Sequence, residues 1–92
     1  MRKEKEENEL NERDLKMLDS TANRDQEAFK KLFERYYPLV YRFILRITFR
    51  PELAEEAAND TLFEVWRKAV DFRKDSKVST WIFGIAYYKG LK

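Results

Sequence analysis

The 92-residue chain contains no cysteine and no histidine. Without cysteine there is no disulfide framework, no thiolate zinc site and no thiol nucleophile. Without histidine, imidazole acid–base chemistry and imidazole metal ligation are also excluded. Glycine and proline occur only twice each, and neither GxGxxG nor GxxxxGK[ST] can be found, so no phosphate-cradling loop is present. No apolar run approaches the ~20 residues of a membrane span. The charged N-terminal run has no apolar core behind it and does not read as a signal peptide. Carboxylates abound, but they assemble into no nucleophile–base pair and no metal constellation. These absences point to a soluble, cytoplasmic chain that is not an enzyme and that carries no cofactor and no metal.

What the chain does have is aromatic residues and charge. Seven Phe, five Tyr and two Trp sit among 43% hydrophobic residues, enough for a small core if the rings share it. A chain this short reaches stability most simply by packing one helical layer on another. No segment alternates apolar and polar residues over a strand's length, and no Asn-Gly or Asp-Gly hairpin signal occurs. The expected fold is all-α, a small bundle of about four helices with a polar loop before the last.

Residues 1–13 are almost wholly polar, Leu10 being the one apolar residue beyond Met1. They read as a disordered lead-in to a helical domain over residues 14–92. Leu15, Met17, Leu18 and Ala22 suggest a short helix of about two turns. Asp25 is placed to cap a helix whose apolar face carries Phe29, Leu32, Phe33 and Tyr36 at i, i+3, i+4, i+7 spacing. Pro38 either kinks that helix or opens a new one, and the stripe resumes through Val40, Tyr41, Ile44, Leu45 and Thr48. Arg50-Pro51 ends it, and Pro51 can start the next helix, with Ala54, Ala58, Thr61, Leu62, Val65, Trp66 and Ala69 as its core stripe. Phe63 falls off that stripe. A polar stretch from Asp71 to Ser79 follows. Ser79 or Thr80 is positioned to cap a last helix carrying Trp81, Ile82, Ile85, Ala86 and Leu91.

The formal net charge of +2 hides blocks. Residues 28–50 hold six bases and one acid, residues 51–64 five acids and no base, and residues 65–92 seven bases and two acids. Two readings fit. The helices could pair opposite charges within one solvated bundle. Alternatively the surface is segregated, basic for phosphates and acidic for a protein partner. The last third favours the second reading. There Phe72, Trp81, Phe83, Tyr87 and Tyr88 interleave with Arg73, Lys74, Lys77 and Lys89, and rings with neighbouring cations suit unpaired bases and their backbone. Trp81 serves the core or a ligand, or both. Adjacent Tyr87 and Tyr88 cannot both point inward on one helix.

The segments AF..L...Y..LVY (28–41), AEEAANDTLFEVW (54–66) and, after Phe72 and the polar loop, TWIFGIA (80–86) occur in an order that resembles region 2 of bacterial sigma factors of the sigma-70 family. The likeness is nearest to the small extracytoplasmic-function (ECF) class, and covers most of the chain. It implies a domain that docks on RNA polymerase core and opens promoter DNA without catalysing a reaction. The family's contacts to the clamp helices of the β′ subunit fall on Glu56, Asn59 and Asp60, with Phe63 beside them. Phe63 could instead pack on the lead-in helix. The family's contacts to the non-template strand of the −10 element fall on the loop, here Arg73, Lys74, Lys77 and Ser79, and on the helix after it, at Trp81, Ile82, Ile85 and Tyr88; the interleaved cation Lys89 is expected to join them on the DNA. Many relatives are also held by an anti-sigma factor. Tyr88 and Gly84 stand where many relatives have Asn and Arg, and the loop is about one residue short, so the −10 sequence read here is not inherited. The family's second domain, region 4, is absent from this chain, which therefore looks like a fragment. A helical protein–protein interaction module without nucleic-acid binding is the alternative.

Overall fold

The structure, a computed structural model, describes residues 2–91. Met1 and Lys92, which the lead-in and helical domain expected above include, lie outside the described residues. The chain is all-α, with four helices and no strand among the described residues: α1 (Arg2–Ala22), α2 (Gln26–Thr48), α3 (Pro51–Lys68) and α4 (Val78–Gly90), with a 3₁₀ turn at Ala69–Asp71 after α3. Its extents of 34 × 34 × 21 Å make it two helix diameters thick, hence two layers.

The helix boundaries follow from local chemistry wherever the cap lies nearby in the chain. Asp25 accepts hydrogen bonds from the N–H groups of Glu27 (3.0 Å) and Ala28 (3.2 Å), closing the first turn of α2. At the other end Phe49 takes a left-handed φ of 56° and its N–H reaches the Leu45 carbonyl at 2.8 Å. Pro51 then opens α3 at a position where a missing N–H costs nothing. α2 is continuous through Pro38, which settles the choice at that residue against a fresh start.

Two expectations about helix boundaries are corrected. The polar lead-in is helical from Arg2 onward and merges with the short helix expected after it, so that α1 runs for 21 residues. Its residues are good helix formers, and opposite charges recur four apart, as at Lys5 and Glu9 or Glu12 and Lys16. Its N-terminal half also has tertiary partners, described below. The start of α4 is the second correction. The helix begins at Val78, and neither Ser79 nor Thr80 caps it.

The core is built where α2, α3 and α4 meet. Leu32, Tyr36, Val40 and Ile44 of α2 pack with Ala54, Ala58, Leu62 and Val65 of α3 and with Val78, Ile82 and Ala86 of α4. Each large side chain so buried contributes about 1.5–3 kcal/mol. Alanines on α3, including Ala57, which the expected stripe omits, let α2 approach closely. Gly90 of α4 does the same, because a Cβ there would sit 3.4 Å from Ile44 Cγ2. Trp66, expected in the core, is only half-buried. α1 is held by Leu18 and by a buried polar clip. Asp14 is 2% exposed, accepts the Tyr36 hydroxyl's hydrogen bond, and pairs with Arg35 Nε at 2.8 Å.

Candidate functional site

α3 turns its alanine-rich face inward, and the helical period therefore puts Glu56, Asn59, Asp60 and Phe63 together on its outer face. All four are exposed, Phe63 at 61%. Phe63 does not pack on α1. With Asn59 it borders a shallow apolar groove of about 430 Å3 whose other walls are Gln26, Phe29, Phe33 and Trp66. Glu56 and Asp60 border a second, smaller depression together with Thr48, Leu53 and the α4 residue Lys89. The outer face is thus a ridge with carboxylates along one side and rings along the other.

The ring side extends along α2. Phe29, Phe33, Tyr37 and Tyr41 follow one another four apart and form a ladder, Phe33 on Tyr37 at 5.4 Å and Tyr37 on Tyr41 at 6.3 Å, both stacked. Phe29 also meets Trp66 at 5.0 Å. Arg24 lies over the Trp66 ring at 4.9 Å and donates to the Trp66 carbonyl at 2.6 Å. Burial, and then the nearby charge of Glu55, push the Tyr37 phenol above its ordinary range. The ladder's signal, four aromatics at i+4 intervals, is present in the sequence but is concealed by the overlapping core stripe of Leu32, Tyr36 and Val40.

The second surface begins at the end of α3. Beyond the 3₁₀ turn, the loop from Phe72 to Lys77 is polar and exposed except for Phe72, which packs on Trp81 at 5.1 Å. α4 is apolar on more than its buried side. Val78, Ile82 and Ala86 face the core, whereas Trp81 and Ile85 are half-buried and Tyr87 and Tyr88 are both exposed. A helix packed on one side has little reason to carry rings on the other unless something covers them. Trp81, Ile85, Tyr88 and Lys89 line one open groove of about 550 Å3, closed on the α3 side by Glu64 and Lys68 and floored by Gly84. A Cβ built at Gly84 would meet nothing within 4 Å.

Of the nine residues expected on this surface, the groove unites those four. Arg73, Lys74 and Lys77 are exposed on the adjoining loop. Lys74 and Lys77 are not free cations, since Lys74 Nζ lies 3.7 Å from Asp19 and Lys77 Nζ 3.1 Å from Glu7. Ser79 is half-buried. Ile82 is a correction. It is completely buried, one position past Trp81 and therefore on the inward side of α4, and it cannot touch a ligand. Glu64 and Lys68 lie outside the expected set, because they belong to α3 and only the fold brings them beside α4. Hydrogen bonding to Lys68, with the charges of Lys68, Lys89 and Arg67, holds the Glu64 carboxyl below its ordinary range despite its partial burial. Among the described residues no group of acidic side chains is arranged to hold a metal ion, and no helix is long and apolar enough to cross a membrane.

Comparison with known proteins places the chain in a family. Residues 32–89 match Sigma-70 region 2. The chain is 40% identical over 65 residues to an ECF RNA polymerase sigma factor, RpoE, of Cereibacter sphaeroides, covering 70% of this chain and 36% of that protein. It is 34% identical over 73 residues to the ECF RNA polymerase sigma factor SigM of Mycobacterium tuberculosis, covering 78% of this chain and 37% of that one. With SigK of a Mycobacterium species it shares 29% over 76 residues, 82% of this chain and 39% of the relative. The chain thus spans little more than a third of the length of the curated relatives it matches. No solved structure matches it.

Proposed function

The chain belongs to the sigma-70 region 2 family, and from that premise we propose that it works in transcription initiation as a module that docks on RNA polymerase core and opens the −10 element of promoter DNA. The observation that carries the DNA half is the open groove in which Trp81, Ile85, Tyr88 and Lys89 come together beside a basic loop. An unpaired base needs a flat apolar surface and a cation for its phosphate. Stacking of a base on an aromatic ring contributes about 1–3 kcal/mol, the scale needed to offset the few kcal/mol that taking a base out of the duplex costs. The module would bind single-stranded non-template DNA as it is exposed, and so hold the melted state. It makes and breaks no bond itself.

The docking half rests on the outer face of α3. Exposed carboxylates at Glu56 and Asp60 beside the Phe63 ring and the aromatic groove suit a basic, partly apolar partner, and the resemblance assigns that face to the β′ clamp helices. A ring at the centre of a docking patch and charges at its edge divide the work into affinity and orientation. Both activities belong in the cytoplasm, where polymerase core and promoter meet.

The test is binding of single-stranded oligonucleotides with a randomised core, followed by Trp fluorescence at several salt concentrations. The expected result is quenching on binding, affinity that falls as salt rises with a slope of about −0.7 per phosphate neutralised, and a tenfold or larger loss in Trp81→Ala. No binding at low salt, with Trp81→Ala and Lys77→Ala unchanged from wild type, would favour the interaction module without nucleic-acid binding.

A further inference from the structure

α1 lies outside the stretch that matches the family, residues 32–89, yet it is the element that holds the loop. Val78 is the first residue of α4, and the position before it is occupied by Lys77, whose side chain caps nothing. The cap comes from 67 residues away. Asn11 Oδ1 accepts the Val78 N–H at 2.9 Å. On the same stripe, one turn earlier, Glu7 Oε2 takes Lys77 Nζ at 3.1 Å, and towards the other end of α1 Asp19 Oδ2 stands 3.7 Å from Lys74 Nζ. The loop residue Lys74 has a left-handed φ of 64° without being glycine, a conformation that persists only where the surroundings hold it.

The geometry of α1 explains the arrangement. Asp14, Leu18 and Thr21 are its buried residues, and Asn11 and Glu7 continue the same row at i−3 and i−7 from Asp14. The stripe that faces the core in the second half of the helix faces the loop in the first half, and there its side chains are polar. Asp14 locks that orientation through Tyr36 and Arg35.

We propose that α1 is a brace for the DNA-facing loop: Asn11 is a positioning residue that supplies the missing cap of α4, and Glu7 and Asp19 hold Lys77 and Lys74 until DNA phosphates replace them. The DNA part of this proposal rests on the function inferred above; the brace itself does not. A loop already held in shape loses less freedom on binding, which preserves affinity. Exposed ion pairs are weak, so two carboxylates can hold the lysines in place and still yield to a phosphate backbone.

The experiment uses the full chain as wild type, Asn11→Ala, Asn11→Asp and the double variant Glu7→Gln/Asp19→Asn. Three readouts are taken: exchange of the Val78 amide by NMR, affinity for single-stranded DNA, and affinity for the isolated clamp-helix coiled coil. Asn11→Ala is expected to speed Val78 exchange and to weaken DNA binding about threefold to tenfold, the range that loss of a cap allows. Asn11→Asp, which keeps the acceptor, restores both. The double variant keeps the Asn11 cap and loses two carboxylates that compete with phosphate. It therefore binds DNA about twofold to threefold more tightly at low salt, with the difference shrinking as salt screens the charges. Binding no tighter than wild type overturns the assignment of Glu7 and Asp19 as placeholders for phosphate. Clamp-helix affinity stays at the wild-type value throughout, because Glu7, Asn11 and Asp19 border neither depression on that face. If Asn11→Ala leaves Val78 exchange unchanged, or if Asn11→Asp behaves like Asn11→Ala, the brace is overturned. If wild type binds no DNA while Asn11→Ala still speeds Val78 exchange, the brace stands and the DNA reading falls.

Discussion

Tyr36 carries a hydroxyl into the core because Asp14 is there to accept it. The pair is legible by halves. The helical spacing of α2 marks Tyr36 as inward-facing, but Asp14 follows directly on the polar lead-in, and nothing local distinguishes a buried carboxylate from an exposed one. Only the approach of α1 to α2 joins them. Burial, and then the hydrogen bond to Asp14, keep the Tyr36 phenol well above the ordinary tyrosine range. The folded chain therefore holds that proton more tightly than the unfolded chain does. The resulting stability is whole below pH of about 10 and is lost as pH rises beyond it. Tyr36→Phe removes one donor from a buried carboxylate and is expected to destabilise by about 1–3 kcal/mol at neutral pH, with a flatter loss of stability above pH 10; thermal denaturation across the pH range measures both. Ile82 shows the same limit from the other side. Family position placed it among the DNA contacts, whereas its place next to Trp81 on a helix turns it inward.

Among the elements, boundaries set by nearby residues were readable and those set at a distance were not. Asp25 and Pro51 act within a turn of the helices they start, so their residue types announce them. The start of α4 depends on Asn11, and the helicity of residues 2–13 depends in part on what α1 meets in α4; neither partner is near in the sequence. Within α4 the two glycines part ways. Gly84 faces open space and Gly90 touches Ile44. Gly84→Ala is expected to raise stability by about 0.5–1 kcal/mol, since it removes the entropic cost of glycine inside a helix and meets no neighbour. Gly90→Ala gains less or loses stability, because Ile44 must give way. Chemical denaturation midpoints of the two variants, compared with wild type, check the contrast.

For the whole molecule, the small net charge is a sum over faces. The acidic block of residues 51–64 puts Glu56 and Asp60 on the outer face of α3. The basic block that follows puts Lys68 and Lys89 around the α4 groove and Arg73, Lys74 and Lys77 on the loop. That separation was visible in the order of charges along the chain. What was not visible is that α1 partly neutralises the loop, since Glu7 and Asp19 lie in a segment that reads as detached. The two faces meet at Lys89, which borders both depressions, but Asp60 and Trp81 each line only one of them, so each should be removable without disturbing the other. The central claim is therefore tested most directly by a crossed binding measurement. Wild type, Asp60→Ala and Trp81→Ala are each titrated with the clamp-helix coiled coil and with single-stranded DNA. The account predicts that Asp60→Ala weakens only clamp-helix binding and that Trp81→Ala weakens only DNA binding. If either variant weakened both, or neither, the assignment of two separate faces would be contradicted.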